Sequence, residues 1–409
     1  MAEMATKMAF DIIIVGGGPV GLTLGASLAH YMPGLEIAIC DRRTFEVPRD
    51  ARASAIAAGV QQVFEGIDLW GDIAPHATPI MRMHITDSGG GDLARPLFLS
   101  FEGNVAPGRP FAHMVPNMMA ADALLNRVCN QVTLFGSVEV QNLEVDAHGA
   151  HVALSDGQTL CAPLVVAADG VRSSLRTMSG IATTGHAYNQ TGIVTTIQHE
   201  LDHAQTAYEH FRPAGPFASL PLKGKRSSLV WTETHQDALR YKALPGADLA
   251  ARIARVMGSS LGHVIVDDLV QTFPLRLQIA RQFHGKRLVL VGDAAHVVHP
   301  ISGQGLNLGL KDVAVLCEVL IDALRLGQDH GAEDVLARYT QWRRFDTALM
   351  AMATDGLNRL FSNDVPPVRA LRDAGLGVVD RLPLVKTALI RHAAGIGGAL
   401  PKLMRGQRL

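Results

Sequence analysis

The sequence predicts an α/β protein: a Rossmann-like domain on a parallel sheet, an inserted, mostly antiparallel β-sheet domain, and C-terminal helices. Three observations predict it. The chain opens with Phe10-Asp-Ile-Ile-Ile-Val15, a β-branched run suited to a strand buried on both faces. The run breaks at Gly16-Gly-Gly-Pro-Val-Gly21 into a helical pattern over 22–30, then a second apolar run, 36–40, ends at Asp41. Strand, helix and strand within about 30 residues make a βαβ unit. Two later runs of the same texture, 164–168 and 287–291, end in Asp169-Gly170 and Gly292-Asp293. Between them, from about 181 to 282, stretches such as Gly192–Ile197 and Ser227–Thr232 suit antiparallel strands with one covered face.

These textures predict a discontinuous nucleotide-binding domain over 1–75, 100–180 and 283–345. The substrate domain takes 76–99 and 181–282, and 346–409 forms a C-terminal helical segment. The Gly-rich insert Asp87–Asp92, beside Met81–Ile85, reads as a hairpin joining the second sheet. There is no internal repeat and no low-complexity linker.

Composition excludes several classes. Of 409 residues 48% are apolar and 18% charged, too apolar for disorder. Lys plus Arg number 37 against 38 acids, so no global charge attracts nucleic acid. Cys40, Cys129, Cys161 and Cys317 form no C-x-x-C pair, which argues against zinc or a disulfide framework and for buried reduced thiols. No apolar run reaches the ~18 residues of a membrane span. Met1–Phe10 lacks the pattern of a signal peptide. The expected location is cytoplasmic, with a peripheral place on the inner face of the inner membrane as the alternative.

Gly16-x-Gly18-x-x-Gly21 lies between strand and helix, where the pattern has a mechanism. Gly16 permits the turn, Gly18 lets backbone approach a pyrophosphate, and Gly21 lets the helix pack close. Helix-start amides then hold the negative charge. Pro19 and Val20 complete the turn, and Asp41, beside Arg42, is placed to accept from ribose hydroxyls. Alone, this motif leaves FAD and NAD open. Asp169-Gly170-Val-Arg-Ser-Ser-Leu-Arg176 and the stretch Gly292 to Asn307 follow two further strands. In the latter, Asp293 suits a ribityl hydroxyl, Pro300 stiffens the chain, and Gly303-Gln304-Gly305 opens a helix. Its amides would stabilise negative charge on a reduced flavin.

Together these motifs resemble the class A flavoprotein monooxygenases, with the para-hydroxybenzoate hydroxylase fold. The segment from Gly292 through Asp312 is most similar to the hydroxylases of ubiquinone biosynthesis. Asp50-Ala-Arg52-Ala-Ser-Ala-Ile56 is similar to a family segment whose Arg contacts FAD, and Pro116-Asn117 stands where that branch commonly has Glu-Asn. The resemblance implies an FAD domain of the glutathione-reductase type, with NADH or NADPH as co-substrate and molecular oxygen as oxidant. It implies hydroxylation of an aromatic ring, a polyprenylated phenol or quinol precursor, through a flavin C4a-hydroperoxide. The isoalloxazine would lie against Pro300, Gly303 and Gln304, with Gly305, Leu306 and Asn307 beyond them. His296 and His299 read first as structural histidines bonded to backbone, then as acid–base groups. An isoprenoid reductase or oxidase on the same fold, and a non-catalytic FAD-binding subunit, are the alternatives.

From Pro366 to Leu409 stand eight cations, Arg369, Arg372, Arg381, Lys386, Arg391, Lys402, Arg405 and Arg408, against Asp373 and Asp380. Interleaved with aliphatic residues, they suit either an anionic membrane face or a helix packed on the protein. A homodimer or a biosynthetic complex fits the same reading.

Overall fold

The structure, a computed structural model, is described for residues 7–87, 99–102, 104–106, 109–362 and 394–409. Its centre is a six-stranded sheet in the order Thr133–Gly136, Ile37–Asp41, Ile12–Val15, Leu164–Ala167, Leu288–Leu290 and His284–Gly285. The first five are parallel and the last runs antiparallel to its neighbour. Ile12, Ile13, Ile14, Val165, Val166 and Val289 are fully buried, as in a parallel sheet covered on both faces. The four predicted strands therefore lie together, and three of their C-terminal ends carry Gly16, Asp169 and Gly292 to one edge. In an open α/β sheet that edge is where ligands bind.

Helices Pro19–Tyr31 and Gln304–Arg325 pack together over this sheet, and the 29-residue helix Glu333–Phe361 packs on the second of them. Lys7–Ala9, Thr159–Ala162, Ala150–Leu154 and Val140–Val145 form a four-stranded sheet sharing the same core. Cys40 and Cys317 are buried, and burial pushes both thiols up to about 12. Cys161 is half-buried and Cys129 exposed, which corrects the expectation of four buried thiols. All four are free.

The second large sheet runs His296–Val297, Gln271–Ala280, Thr183–His199, Arg226–Thr234, Phe217–Leu222, Thr206–Phe211, Arg82–Asp87 and Leu99–Glu102. Its pairs are antiparallel except Arg82–Asp87 with Thr206–Phe211. Ile193 pairs with Trp231, and both pack under helices His235–Lys242 and Gly246–Met257 through Tyr241, Leu249 and Ile253. The other face turns to a small sheet, Ala53–Ala57, Ala112–Pro116 and Thr78–Ile80.

Strand pairing departs from the predicted segment limits. Leu99–Glu102 and His296–Val297 belong to the large sheet, whereas Thr78–Ile80 joins the small one. The helix beginning at Glu333 crosses position 346 without a break. Local texture does not report which edge a short strand will find. Of the basic tail, Arg369, Arg372, Arg381, Lys386 and Arg391 lie outside the described residues. At its end Leu403 and Met404 are buried in the main core, and the Lys402 N–H donates to Glu318 Oε2 at 2.7 Å.

Candidate active site

At the first strand end Gly16 has φ +118°, and a Cβ there would stand 2.2 Å from the Ala168 carbonyl oxygen. A Cβ on Gly21 would meet the Gly16 carbonyl oxygen at 2.0 Å, so helix and strand touch backbone to backbone. Gly18 differs: it caps the helix without a side-chain bond, Pro19 follows at the first helical position, and a Cβ would meet nothing within 4 Å. Two glycines build the turn, and the third leaves a hollow before the positive end of the helix dipole.

Asp41 closes the neighbouring strand. Its Oδ2 accepts the Gly17 N–H at 2.6 Å and its Oδ1 the Arg43 N–H at 2.8 Å. Burial pulls its carboxyl upward, but the Arg43 and Gly17 hydrogen bonds outweigh this and hold it below the usual range. It holds the glycine turn in shape, a function added to the expected contact with a ribose. Arg42 is exposed beside it.

The other two motifs are tied to each other. Asp169 Oδ2 accepts from the Ser174 N–H at 2.8 Å and the Leu175 N–H at 3.3 Å, while its buried Oδ1 has no partner among the described residues. Arg176, buried, donates to the carbonyls of Ala294 at 2.8 Å and Val171 at 2.9 Å. Asp293 is solvent-exposed yet crowded by protein: desolvation raises its carboxyl, with His296 and Arg52 opposing. An acid in such a crevice suits a ligand hydroxyl.

Pro300 leads into Gly303, whose N–H donates to the Pro300 carbonyl at 2.9 Å and whose φ is +61°. Helix Gln304–Arg325 then starts without a side-chain cap, and a Cβ on Gly305 would meet nothing within 4 Å. First-turn amides such as those of Gly305 and Leu306 have no acceptor within the helix. The Asn307 side chain is engaged within the protein. Its Nδ2 donates to the Ala55 carbonyl at 2.8 Å and its Oδ1 accepts the Ala57 N–H at 3.0 Å, locking the helix start to the Ala53–Ala57 strand.

Arg52, at the head of that strand, pairs with Asp50 at 2.7 Å and lies 5.0 Å over the Phe273 ring of the large sheet. Asn117 completes the corner, donating to Asp50 at 3.2 Å and accepting from Ser54 Oγ at 2.8 Å.

The histidines bond to side chains, not backbone. His296 Nε2 is 2.6 Å from Asp312 Oδ2, which also accepts the Gly292 N–H at 2.8 Å. Asp312 Oδ1 accepts from Arg343 Nε at 2.6 Å, Arg343 Nη1 reaches Asp346 at 2.6 Å, and Lys311 reaches the same carboxylate at 2.9 Å. Burial pulls Asp312 upward, but the charges of His296 and Arg343 hold its carboxyl low. His299 Nε2 lies 3.3 Å from Gln190 Oε1, and burial lowers its imidazole to about 4, against the pull of Asp355. Sequence reading missed Asp312, Arg343, Gln190 and Asn358, whose Nδ2 donates to Gln190 Oε1 at 3.0 Å; all four sit on helices or strands distant in sequence from one another. Only the Asp at the end of the 292–312 stretch gave a signal.

The arrangement fits a dinucleotide with a flat ring system. The directions above Gly18, Gly170 and Gly305 are open, and Asp293 stands exposed just past the end of strand Leu288–Leu290. Comparison with known proteins agrees. A family model described as FAD binding domain matches residues 9–353. Ubiquinone hydroxylase UbiL of Rhodospirillum rubrum is 43% identical, over 98% of this chain and 94% of that protein. The 3-demethoxyubiquinol 3-hydroxylase of Escherichia coli is 31% identical, over 96% of this chain and 100% of that protein. Among solved structures, p-nitrophenol 4-monooxygenase PnpA of Pseudomonas putida superposes with a TM-score of 0.78 at 20% identity, covering 96% of this chain and all of that one.

Proposed function

From the premise that this chain belongs to the FAD binding domain family, alongside the ubiquinone hydroxylases, we propose that it hydroxylates a polyprenylated phenol or quinol precursor of ubiquinone. It is an FAD-dependent monooxygenase; bound FAD supplies the redox and oxygen-activating chemistry, with NAD(P)H as electron donor. The protein's part is to bind, orient and exclude water.

One observation carries the substrate reading: the large sheet turns one face away from helices His235–Lys242 and Gly246–Met257, and that face meets the strand locked to the Gly303–Asn307 loop. Gly16, Gly18, Pro19, Val20 and Gly21 would hold the pyrophosphate. Asp41, Arg42 and Arg52 would hold the adenosine side and the loop about it, and Asp169 and Asp293 the polyol. Pro300, Gly303 and Gln304 would lie against the ring, with the Gly305 and Leu306 amides facing its negative charge. The large sheet is then the substrate domain, and 1–75 with 283–345 the greater part of the FAD domain. No described helix is long and apolar enough to cross a membrane. The cations of 366–409 support a peripheral contact with anionic lipid, which co-sedimentation with anionic and neutral vesicles tests.

The experiment is a turnover with isotopically labelled molecular oxygen, NAD(P)H and 2-geranylphenol. Label in a ring hydroxyl supports the proposal. Flavin that is reduced and reoxidised with no labelled product, or a saturated prenyl chain instead, would overturn it.

A further inference from the structure

Thr206–Phe211 carries a carboxylate that the fold does not explain. Successive residues of a strand point to opposite faces, and residues paired across strands share a face. The helix-covered face takes Ile193 and Trp231. The opposite face takes Gly192 and Thr232, Val194 and Val230, then Ala218, and next to Ala218 Glu209, whose parallel partner is Ile85. Phe273 pairs with Gly192 and belongs to this face, with Arg52 over its ring. Ala207, two residues from Glu209, packs in one cluster with Met114, Ala53, Ala55 and Leu220. Glu209 therefore looks from the substrate sheet toward the strand tied to the Gly303–Asn307 loop.

Two further facts set it apart. On the helix-covered face Ile193, Leu229 and Ile253 are buried, whereas Val230 and Leu220, central on the other face, are only half-buried. Ala207, Phe211 and Ala218, which flank Glu209, are buried, so this face is interior to the molecule. Glu209 is 5% exposed, and no donor among the described residues reaches its carboxyl. A carboxyl so nearly enclosed, with no protein donor on it, is open to a ligand's hydroxyl.

Building on the hydroxylase reading, we infer that Glu209 is a catalytic residue, the base that takes the phenolic proton of the substrate while the ring is oxygenated. An electron pair of the ring forms the new carbon–oxygen bond as the O–O bond of the oxygen activated with FAD and NAD(P)H breaks, and the second oxygen atom leaves with that bond's electron pair and ends as water. As that bond forms, the phenol O–H breaks, its proton passes to the Glu209 carboxylate, and its electron pair makes the carbonyl of a dienone. The oxygenated carbon then loses its own proton to water, Glu209 returns the proton it holds to the carbonyl oxygen, and the ring is aromatic again. Burial pushes the Glu209 carboxyl up to about 7, which places it near its operating range. Asp87, paired with Phe211 on the neighbouring strand, and Arg226, paired with Leu222 and bridged to Asp267 at 2.8 Å, are the charged groups sharing this face; the described strands Phe217–Leu222 and Ala53–Ala57 present none there. From the helix Glu333–Phe361, which reaches this strand through Phe361 stacked on Phe211, Asp355 and Arg359 pair with each other.

The test compares full-length, FAD-loaded wild type with Glu209→Gln and Glu209→Asp, using 2-geranylphenol. Hydroxylated product per NAD(P)H consumed, its pH profile, FAD content and 2-geranylphenol affinity are measured together. Wild-type hydroxylation should rise with pH through about 7 and then level. Glu209→Gln should keep FAD and bind the phenol, lose product formation on the order of 10²–10⁴-fold, and show no such rise. Glu209→Asp should recover part of the rate. In the apo-protein above about pH 7 Glu209→Gln should be the more stable, since ionising a buried carboxyl opposes folding. Wild-type product with an unimpaired Glu209→Gln, or with the pH rise intact in it, refutes the role of Glu209 alone. Loss of FAD or of fold in Glu209→Gln, with coupling and pH profile of the remainder unchanged, makes it structural and also refutes the role. Wild type that forms no product from the phenol brings down the hydroxylase reading itself.

Discussion

Gly16, Gly18 and Gly21 are alike in sequence but meet different surroundings. Substituting Gly21 forces Cβ onto a backbone oxygen at 2.0 Å, so Gly21→Ala should destabilise the protein by about 1–3 kcal/mol, read as a lower denaturation midpoint. Gly18 has open space, so Gly18→Asp should fold and melt as the wild type does, yet lose FAD by setting a carboxylate before the pyrophosphate. Flavin absorbance per mole of purified protein decides this; a fully yellow variant would sink the phosphate placement. Asn307 makes a third case. Its amide satisfies Ala55 and Ala57, so Asn307→Ala should cost about 1–3 kcal/mol through the buried partners it abandons. An unchanged midpoint would mean that these bonds hold nothing.

At the scale of elements, the chain of charges His296, Asp312, Arg343, Asp346 and Lys311 joins the Gly292 turn to two long helices. Asp312 and Arg343 are fully buried, and a buried ion pair destabilises strongly when only one partner is removed. Asp312→Asn should cost about 3–5 kcal/mol near neutral pH. The folded carboxyl lies below its ordinary value of about 3.9, so its contribution is present above that pH and is lost as pH falls through the folded value. The acid limb of wild-type unfolding should accordingly flatten in Asp312→Asn. An equally steep acid limb in both proteins would place the acid sensitivity elsewhere.

For the whole molecule, the expected cofactor contacts lie on strand ends, on the start of one helix and on a strand bridged by Arg52 to the second sheet. A ligand binding only when these are assembled stabilises all of them together. FAD at about 100 times its dissociation constant should add about 2.7 kcal/mol to unfolding, in one cooperative shift. A denaturation curve indifferent to FAD would exclude a site shared between elements.

Sequence alone determined the parallel sheet, the glycine turn and the three strand ends that meet at one edge. Continuous β-branched runs and glycines at fixed spacing act locally, so their signals survive in one dimension. The four-stranded sheet, whose strands lack that texture, and the short edge strands at 78, 99 and 296 depended on distant hydrogen-bond partners. Tertiary structure also decided that Asn307 is spent on Ala55 and Ala57, that His296 pairs with Asp312, and that Glu209 is left unpaired on the face toward the FAD loop. Each follows from what stands across a gap rather than along the chain. A carboxylate's neighbours, and so its proton, are set by strand register and burial, which no local pattern of residues encodes.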